Sequence, residues 1–250
     1  MPLSIASHRF FERLKTPRRS VWRRDPVTQL VVKDVIANAI RARAEAGAAL
    51  LEVGCNFGHQ TVIYREQIPA PGETVGYDWQ DRRAAEVVAD FRFRQVDLER
   101  DRFPDADASF DFVVCNQVFE HIKNIFTPMS EIARVLRPGG WLIFSVPNLA
   151  ALHNRILLGL GRQPTTIDIS GNHVRGYAIR SMSRFLTAQD HFEIEQVVGI
   201  GLHPFCSWTM PGPFRSLCHT PVWVCRRKAS RGPSWQALRK LTPTTTKFFE

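Results

Sequence analysis

From residue 48 to residue 146, short apolar runs alternate with stretches whose apolar positions recur every three or four residues. The short runs predict strands at 48–53, 74–77, 91–96, 110–115 and 141–146. Helical spacing falls between them at 59–67, 81–90 and 127–136. It also falls ahead of them at 27–46, where Leu30, Val31, Val35, Ala39 and Ile40 recur and Gly47 supplies a stop. Pro138, Gly139 and Gly140 predict a turn before the fifth strand. Strand and helix in alternation imply an α/β fold, a doubly wound and mostly parallel Rossmann-like sheet of about seven strands with helices on both faces.

The last third breaks this rhythm. A polar, glycine-containing stretch at 148–177 precedes a helix near 180–188 and two final strands at 192–199 and 221–226. No long helix separates those two strands, and 200–220 is rich in Pro, Gly and aromatics. They are therefore expected to form an antiparallel C-terminal pair joined by a loop. The domain reading is an N-terminal extension at 1–26, a body at 27–228 carrying an insertion at 149–177, and a flexible tail at 229–250.

Charge sharpens that division. The first 24 residues hold seven Arg or Lys against one Glu, and residues 215–250 hold eight against one, so the stretch between is mildly acidic although the whole chain carries +9. The basic ends are interleaved with Phe10, Phe11, Trp22, Trp223, Trp235, Phe248 and Phe249. Such ends suit an anionic membrane surface, a partner protein or RNA equally well, and also suit plain solvation. No apolar run approaches the roughly 18 residues that span a bilayer. Charge at His8, Arg9, Glu12 and Arg13 interrupts the place of a signal peptide, so a cytoplasmic location is expected. The cysteines, Cys55, Cys115, Cys206, Cys218 and Cys225, are scattered without a CxxC pair. Neither a disulfide framework nor a zinc site is indicated, and no metal is expected.

The candidate chemistry begins at LLEVGCNFG, residues 50–58. The apolar run ends at Glu52, and Gly54 and Gly58 follow where a buried strand would turn into a helix, letting backbone approach a ligand closely. Asp78 ends the next strand, where its carboxylate is placed to accept both hydroxyls of a ribose, and Asp97, after the third strand, is placed to meet an adenine amino group. A nicotinamide dinucleotide site is the competitor. Counted from Gly54, its GxGxxG pattern needs glycines where Asn56 and His59 stand.

Glu52 to Gly58, Asp78, Asp97, FPDADASFDFVVCNQVFEHI and LRPGGWLIFSVPN together resemble the ordered motifs of the class I S-adenosylmethionine-dependent methyltransferases. The resemblance implies that Glu52, Gly54, Cys55, Asn56 and Gly58 form the methionine-side loop. It further implies that Asp78 with Trp79 holds the ribose end, that Asp97 and Leu98 flank adenine, and that Asn116, Gln117 and Val118 line the methionine and acceptor side. The family commonly has glycine where Asn56 stands; Asn is the residue that best substitutes there, because it tolerates positive φ.

Methyl transfer from a sulfonium is an in-line displacement that depends on alignment and exclusion of water, and a base is needed only for an acceptor with a proton to lose. His121 and His173 are the candidates for that role, each with a loop-ordering alternative; Glu120 reads as loop-ordering. Arg175 and Tyr177, in GNHVRGY, are placed to orient an anionic or hydroxylated acceptor. Met182 and Phe185 read as core. SVPNLAALHNRILLGLGRQPT and HVRGYAIRSMSRFL resemble bacterial methyltransferases of cell-surface polysaccharide and glycolipid assembly. This second resemblance implies O-methylation of a glycan, glycolipid or small metabolite, with the basic ends approaching the inner membrane face. An RNA acceptor is the runner-up, but NQVF stands where an exocyclic base amine would call for an NPPY-like tetrad. A non-catalytic binding protein that keeps the fold is the rival from another class.

Overall fold

A computed structural model describes residues 27–202, 205–210, 212–229, 235 and 237. Helix α1 (Val27–Arg41) leads into β1 (Leu50–Val53), α2 (His59–Arg65), β2 (Thr74–Asp78), β3 (Arg92–Gln95), β4 (Phe110–Asn116), α3 (Phe126–Val135) and β5 (Leu136–Ser145). Then follow α4 (Leu152–Gly159), α5 (Ile179–Thr187), β6 (Phe192–Leu202), β7 (Phe205–Met210) and β8 (Thr220–Arg227). The eight strands lie in one sheet in the order β3-β2-β1-β4-β5-β8-β6-β7. The first five are parallel, and β8 runs antiparallel to both β5 and β6. The expected mostly parallel sheet with an antiparallel C-terminal pair is what forms.

Alternation along the strands sorts the core onto two faces. Leu51, Val53, Val113, Cys115, Leu142 and Phe144 pack with Met129, Ile132 and Met182 from α3 and α5. Leu50, Phe112, Val114, Ile143 and Val224 face the other way, onto Val32, Ile36 and Ile40 of α1 and Tyr64 of α2. Burial on both sides explains why the central strands read as continuous apolar runs.

Four expectations are corrected. Residues 81–90 form no α-helix: a single 3-10 turn at Ala85–Val87 is all that appears. The Arg83 guanidinium donates to the carbonyls of Val88 and Phe91, 3.0 and 3.1 Å away, and the Ala84 N–H to that of Phe57 at 3.0 Å, so the segment is tied down as a loop. Second, Pro138-Gly139-Gly140 is not a turn ahead of β5 but an irregularity within it. Leu136 pairs with Phe110 and Trp141 with Phe112, the intervening residues loop out, and Gly139 takes φ +82°.

Third, the stretch 200–220 contains an extra edge strand. Gly201, at φ +75°, marks a register shift after Ile200, and Leu202 pairs with Phe205 as β7 folds back on β6. Fourth, the insertion is not simply polar loop, because it carries α4 and a 3-10 turn at Thr165–Ile167. Asn148 anchors it by donating to the carbonyls of Ser216 and Cys218, 3.1 and 2.8 Å away. Within the expected tail, Trp235 is fully buried against the core; the 1–26 extension and most of 230–250 lie outside the described residues.

Candidate functional site

The carboxyl ends of β1, β2, β4 and β5 converge on the loop after β1. Three of its residues take left-handed backbone, Gly54 at φ +79°, Asn56 at +47° and Gly58 at +83°. Asn56 thus adopts the conformation its side chain tolerates best among non-glycine residues. The N–H groups of Gly54 and Cys55 both donate to the Tyr77 carbonyl, at 2.8 and 3.0 Å. That of Asn56 donates to Asp78 Oδ2 at 2.8 Å. Two of the glycines also meet close neighbours: a β-carbon on Gly58 would lie 2.8 Å from the Phe91 ring, and one on Gly54 2.5 Å from Val118.

Asp78 is buried and ties the loop to β2. Its second oxygen accepts the Trp79 N–H at 2.8 Å, and Arg82 Nη2 lies 3.9 Å away. A carboxylate offers about four acceptor positions, so capacity remains for further donors. Beside it, the Trp79 indole is 62% exposed and is faced by the Arg82 guanidinium at 5.3 Å. Beneath the loop, Glu52 is buried and accepts the Thr61 hydroxyl. Burial pushes its carboxyl up to about 8, opposed by the Thr61 hydrogen bond and the charge of Lys33.

Asn116, Gln117 and Val118 continue from β4. Asn116 donates to Gln60 at 2.9 Å and accepts the Ser145 hydroxyl; Gln117, at φ +57°, donates to Ser145 Oγ at 3.2 Å. The structure therefore brings Glu52, Gly54, Cys55, Asn56, Gly58, Asp78 and Asn116–Val118 together around one set of strand ends. The third strand's residues stand apart from that network. Leu98 is buried in the main core, while Asp97 is exposed and accepts the Glu99 N–H at 3.0 Å.

One 3-10 turn, Phe119–His121, follows Val118. The insertion docks onto it, with the N–H groups of Val174 and Arg175 donating to the Glu120 carbonyl at 2.8 and 3.2 Å. The His121 and His173 rings meet edge to face, centroids 4.8 Å apart. His121 Nδ1 lies 3.3 Å from the Asn172 carbonyl and His173 Nδ1 2.7 Å from that of Thr166. A ring nitrogen facing a carbonyl must carry the proton, so the neutral lone pair of each ring sits on Nε2. Burial holds the His121 pKa below its ordinary value; the Asn172 carbonyl opposes this and the charge of His173 adds to it.

Arg175 and Tyr177 do not point to an acceptor role. Arg175 Nε donates to the Lys123 carbonyl at 3.0 Å and Tyr177 to that of Phe119 at 3.0 Å, and both fasten the insertion down. Sequence reasoning also missed that Glu120, His121 and His173 form one cluster. No linear spacing signals it, because the third member arrives only when the insertion docks. A surface cavity of about 330 Å³ lined by Arg43, Asp111, Arg137 and Trp141 opens at the opposite, amino end of the strands. In open α/β sheets ligands bind at the carboxyl ends, so the strand-end cluster outranks that cavity as a site.

A family model described as a methyltransferase domain matches residues 26–195, well over half of the chain. The chain belongs to the class I S-adenosylmethionine-dependent methyltransferases. It is 31% identical over 158 residues to a protein described as a probable S-adenosylmethionine-dependent methyltransferase of Mycolicibacterium smegmatis, covering 62% of this chain and 56% of that one. To a ubiquinone biosynthesis O-methyltransferase of Paracidovorax citrulli it is 32% identical over 111 residues, 41% and 44% of the two chains. The chain thus spans about half the length of these curated relatives. Among solved structures, an S-adenosylmethionine-dependent methyltransferase of Mesorhizobium loti shares the fold, with a TM-score of 0.55 at 14% identity over 80% of this chain and 98% of the other.

Proposed function

We propose that this methyltransferase transfers the methyl group of S-adenosylmethionine to a hydroxyl oxygen of a glycolipid or lipid-linked glycan. The residues at the strand ends fit the cofactor. Asp78 keeps acceptor capacity for two ribose hydroxyls after serving Asn56 and Trp79, and the exposed Trp79 indole offers a face for a purine. Bound there, S-adenosylmethionine supplies an electrophilic methyl group on a sulfonium.

The observation that carries the acceptor class is the His121–His173 pair, whose pinned Nδ1 atoms leave Nε2 lone pairs for a hydroxyl proton. The same insertion that carries His173 also exposes Ile156, Leu158, Leu160 and Ile169, apolar surface suited to the lipid part of an amphipathic acceptor. No helix among the described residues is long and apolar enough to cross a membrane. A prenylated phenol is the second reading, favoured by the same exposed apolar residues and by the relative whose name places it in ubiquinone biosynthesis.

Two measurements test the proposal. Calorimetry with S-adenosylmethionine should show binding by the native protein and at least ~10-fold weaker binding by Asp78→Ala, since a hydrogen bond to a charged group is worth about 1.5–3 kcal/mol. No binding at millimolar ligand would leave a non-catalytic fold relative. Incubation with methyl-labelled cofactor and separated lipid-linked glycan, quinone-precursor, RNA and protein fractions should then label the glycan fraction. Label in the prenylated phenols selects the second reading, and label in RNA alone overturns both.

A further inference from the structure

We propose that Glu120, His121 and His173 bind one divalent first-row transition-metal ion at the acceptor side of the site. Their ligand atoms lie within 4.8 Å of one another, and His121 Nε2 is 4.0 Å from Glu120 Oε1. Small rotations of the two rings and the carboxylate close these gaps to the spacing of about 3.3 Å that bonds of about 2.0–2.1 Å require around a tetrahedral ion.

Two independent features point to an ion rather than to a fortuitous meeting of side chains. The first is Glu120. Its side chain is 1% exposed, and neither carboxyl oxygen has a hydrogen-bond partner. An ionised carboxylate buried in this way is costly. Protonation removes the charge, but at 4.0 Å the His121 Nε2 lone pair is beyond hydrogen-bond reach of the new O–H and the second oxygen still has no donor. A cation between Glu120 and the two rings satisfies the carboxylate and removes the penalty.

The second feature is the tautomer of both histidines. Metal-bound imidazole almost always donates its other ring N–H to a carbonyl or carboxylate, which fixes the ring and raises ligand basicity. Here both Nδ1 atoms face backbone carbonyls, those of Asn172 and Thr166. The outer shell of a metal site is already assembled. The exposed edge of His121 provides the way in.

Two imidazoles and one carboxylate suit zinc, manganese, iron or cobalt better than magnesium or calcium, which prefer all-oxygen shells. Three protein ligands leave positions open, as catalytic sites do. Resting here on the reading of an oxygen acceptor, the ion's role is to hold the acceptor hydroxyl and ease loss of its proton to water, a task that a lone histidine base would otherwise carry. The insertion would then do more than cover the site, because without His173 the ion has only two protein ligands.

The test uses the full-length protein stripped with a chelator and titrated with Co²⁺, read by its visible d–d absorption, with Zn²⁺ as competitor and Mg²⁺ as control. One Co²⁺ should bind per chain, be displaced by Zn²⁺ and be unaffected by Mg²⁺. His173→Ala and Glu120→Gln should each weaken binding by more than the ~10–100-fold that losing even an outer partner costs. S-adenosylmethionine calorimetry on the same variants reports that the fold is intact and separates the two proposals, since cofactor binding without cobalt binding sinks the ion site alone. Absent cobalt absorption, or affinity unchanged in both variants, overturns the inference.

Discussion

The Val118 side chain fills the space that a β-carbon on Gly54 would need, with Cγ2 2.5 Å from that position. The segment that follows β4 thereby presses on the loop after β1. Gly54 also holds φ +79°, which costs an L-residue about 1–2 kcal/mol. Gly54→Ala is expected to lower the melting temperature and to weaken S-adenosylmethionine binding at least ~10-fold, about 1.4 kcal/mol. Adding Val118→Ala removes the clash but not the backbone strain. The double variant should therefore recover part of the loss in melting and calorimetry; no recovery would mean that the clash is not the cause.

Glu52 gives stability a pH dependence. Its folded carboxyl is raised to about 8 by burial, above the ordinary carboxylate range. A raised acid binds its proton more tightly when folded, so its stabilising contribution is complete below about pH 4.5 and is lost as pH rises toward 8, by an amount on the order of a few kcal/mol. Melting temperature should fall between pH 5 and pH 8. Glu52→Gln keeps an acceptor for Thr61 and should flatten that slope, and an unchanged slope would assign the dependence elsewhere.

Trp235 anchors the chain beyond β8. Its ring stacks on His191 with centroids 4.9 Å apart, and Nε1 donates to the Phe185 carbonyl at 2.9 Å. Trp235→Ala should cost about 3–5 kcal/mol in denaturant unfolding, as for other large buried aromatics. Truncation after residue 229 should cost as much. A loss below ~1 kcal/mol would show the contact to be incidental.

How much of the fold is legible in the sequence follows from which interactions are local. β1, β4 and the apolar part of β5 are buried on both faces, so their residues announce them. Asn56 carried its own turn preference. Residues 81–90 look helical until Arg83 is seen bonding the Val88 and Phe91 carbonyls, and Phe91 packing where Gly76 has no side chain. The β7 hairpin was hidden because edge strands need no apolar pattern of their own. His173 meets His121 only through hydrogen bonds between the insertion and the Glu120 backbone, a relation no periodicity encodes. The places of Glu52, Gly54 and Asp78 near the ends of β1 and β2 were legible for the opposite reason, since buried strand ends and the turns after them leave acids and glycines at fixed places in the sequence.

The last of the strands among the described residues is an interior strand of the sheet. β8 lies between β5 and β6, and neither of those pairs with the other. During synthesis on the ribosome, β5 therefore emerges long before its outer neighbour exists, and its open edge of N–H and C=O groups must wait for residues 220–227. The β6–β7 hairpin, complete at Met210, waits detached from the growing sheet for the shorter stretch that leads to Thr220. A nascent chain stalled before β8 would expose both edges at once, so the vulnerable period of this sheet is set by the direction of translation and ends only as β8 is threaded between two strands that are already there.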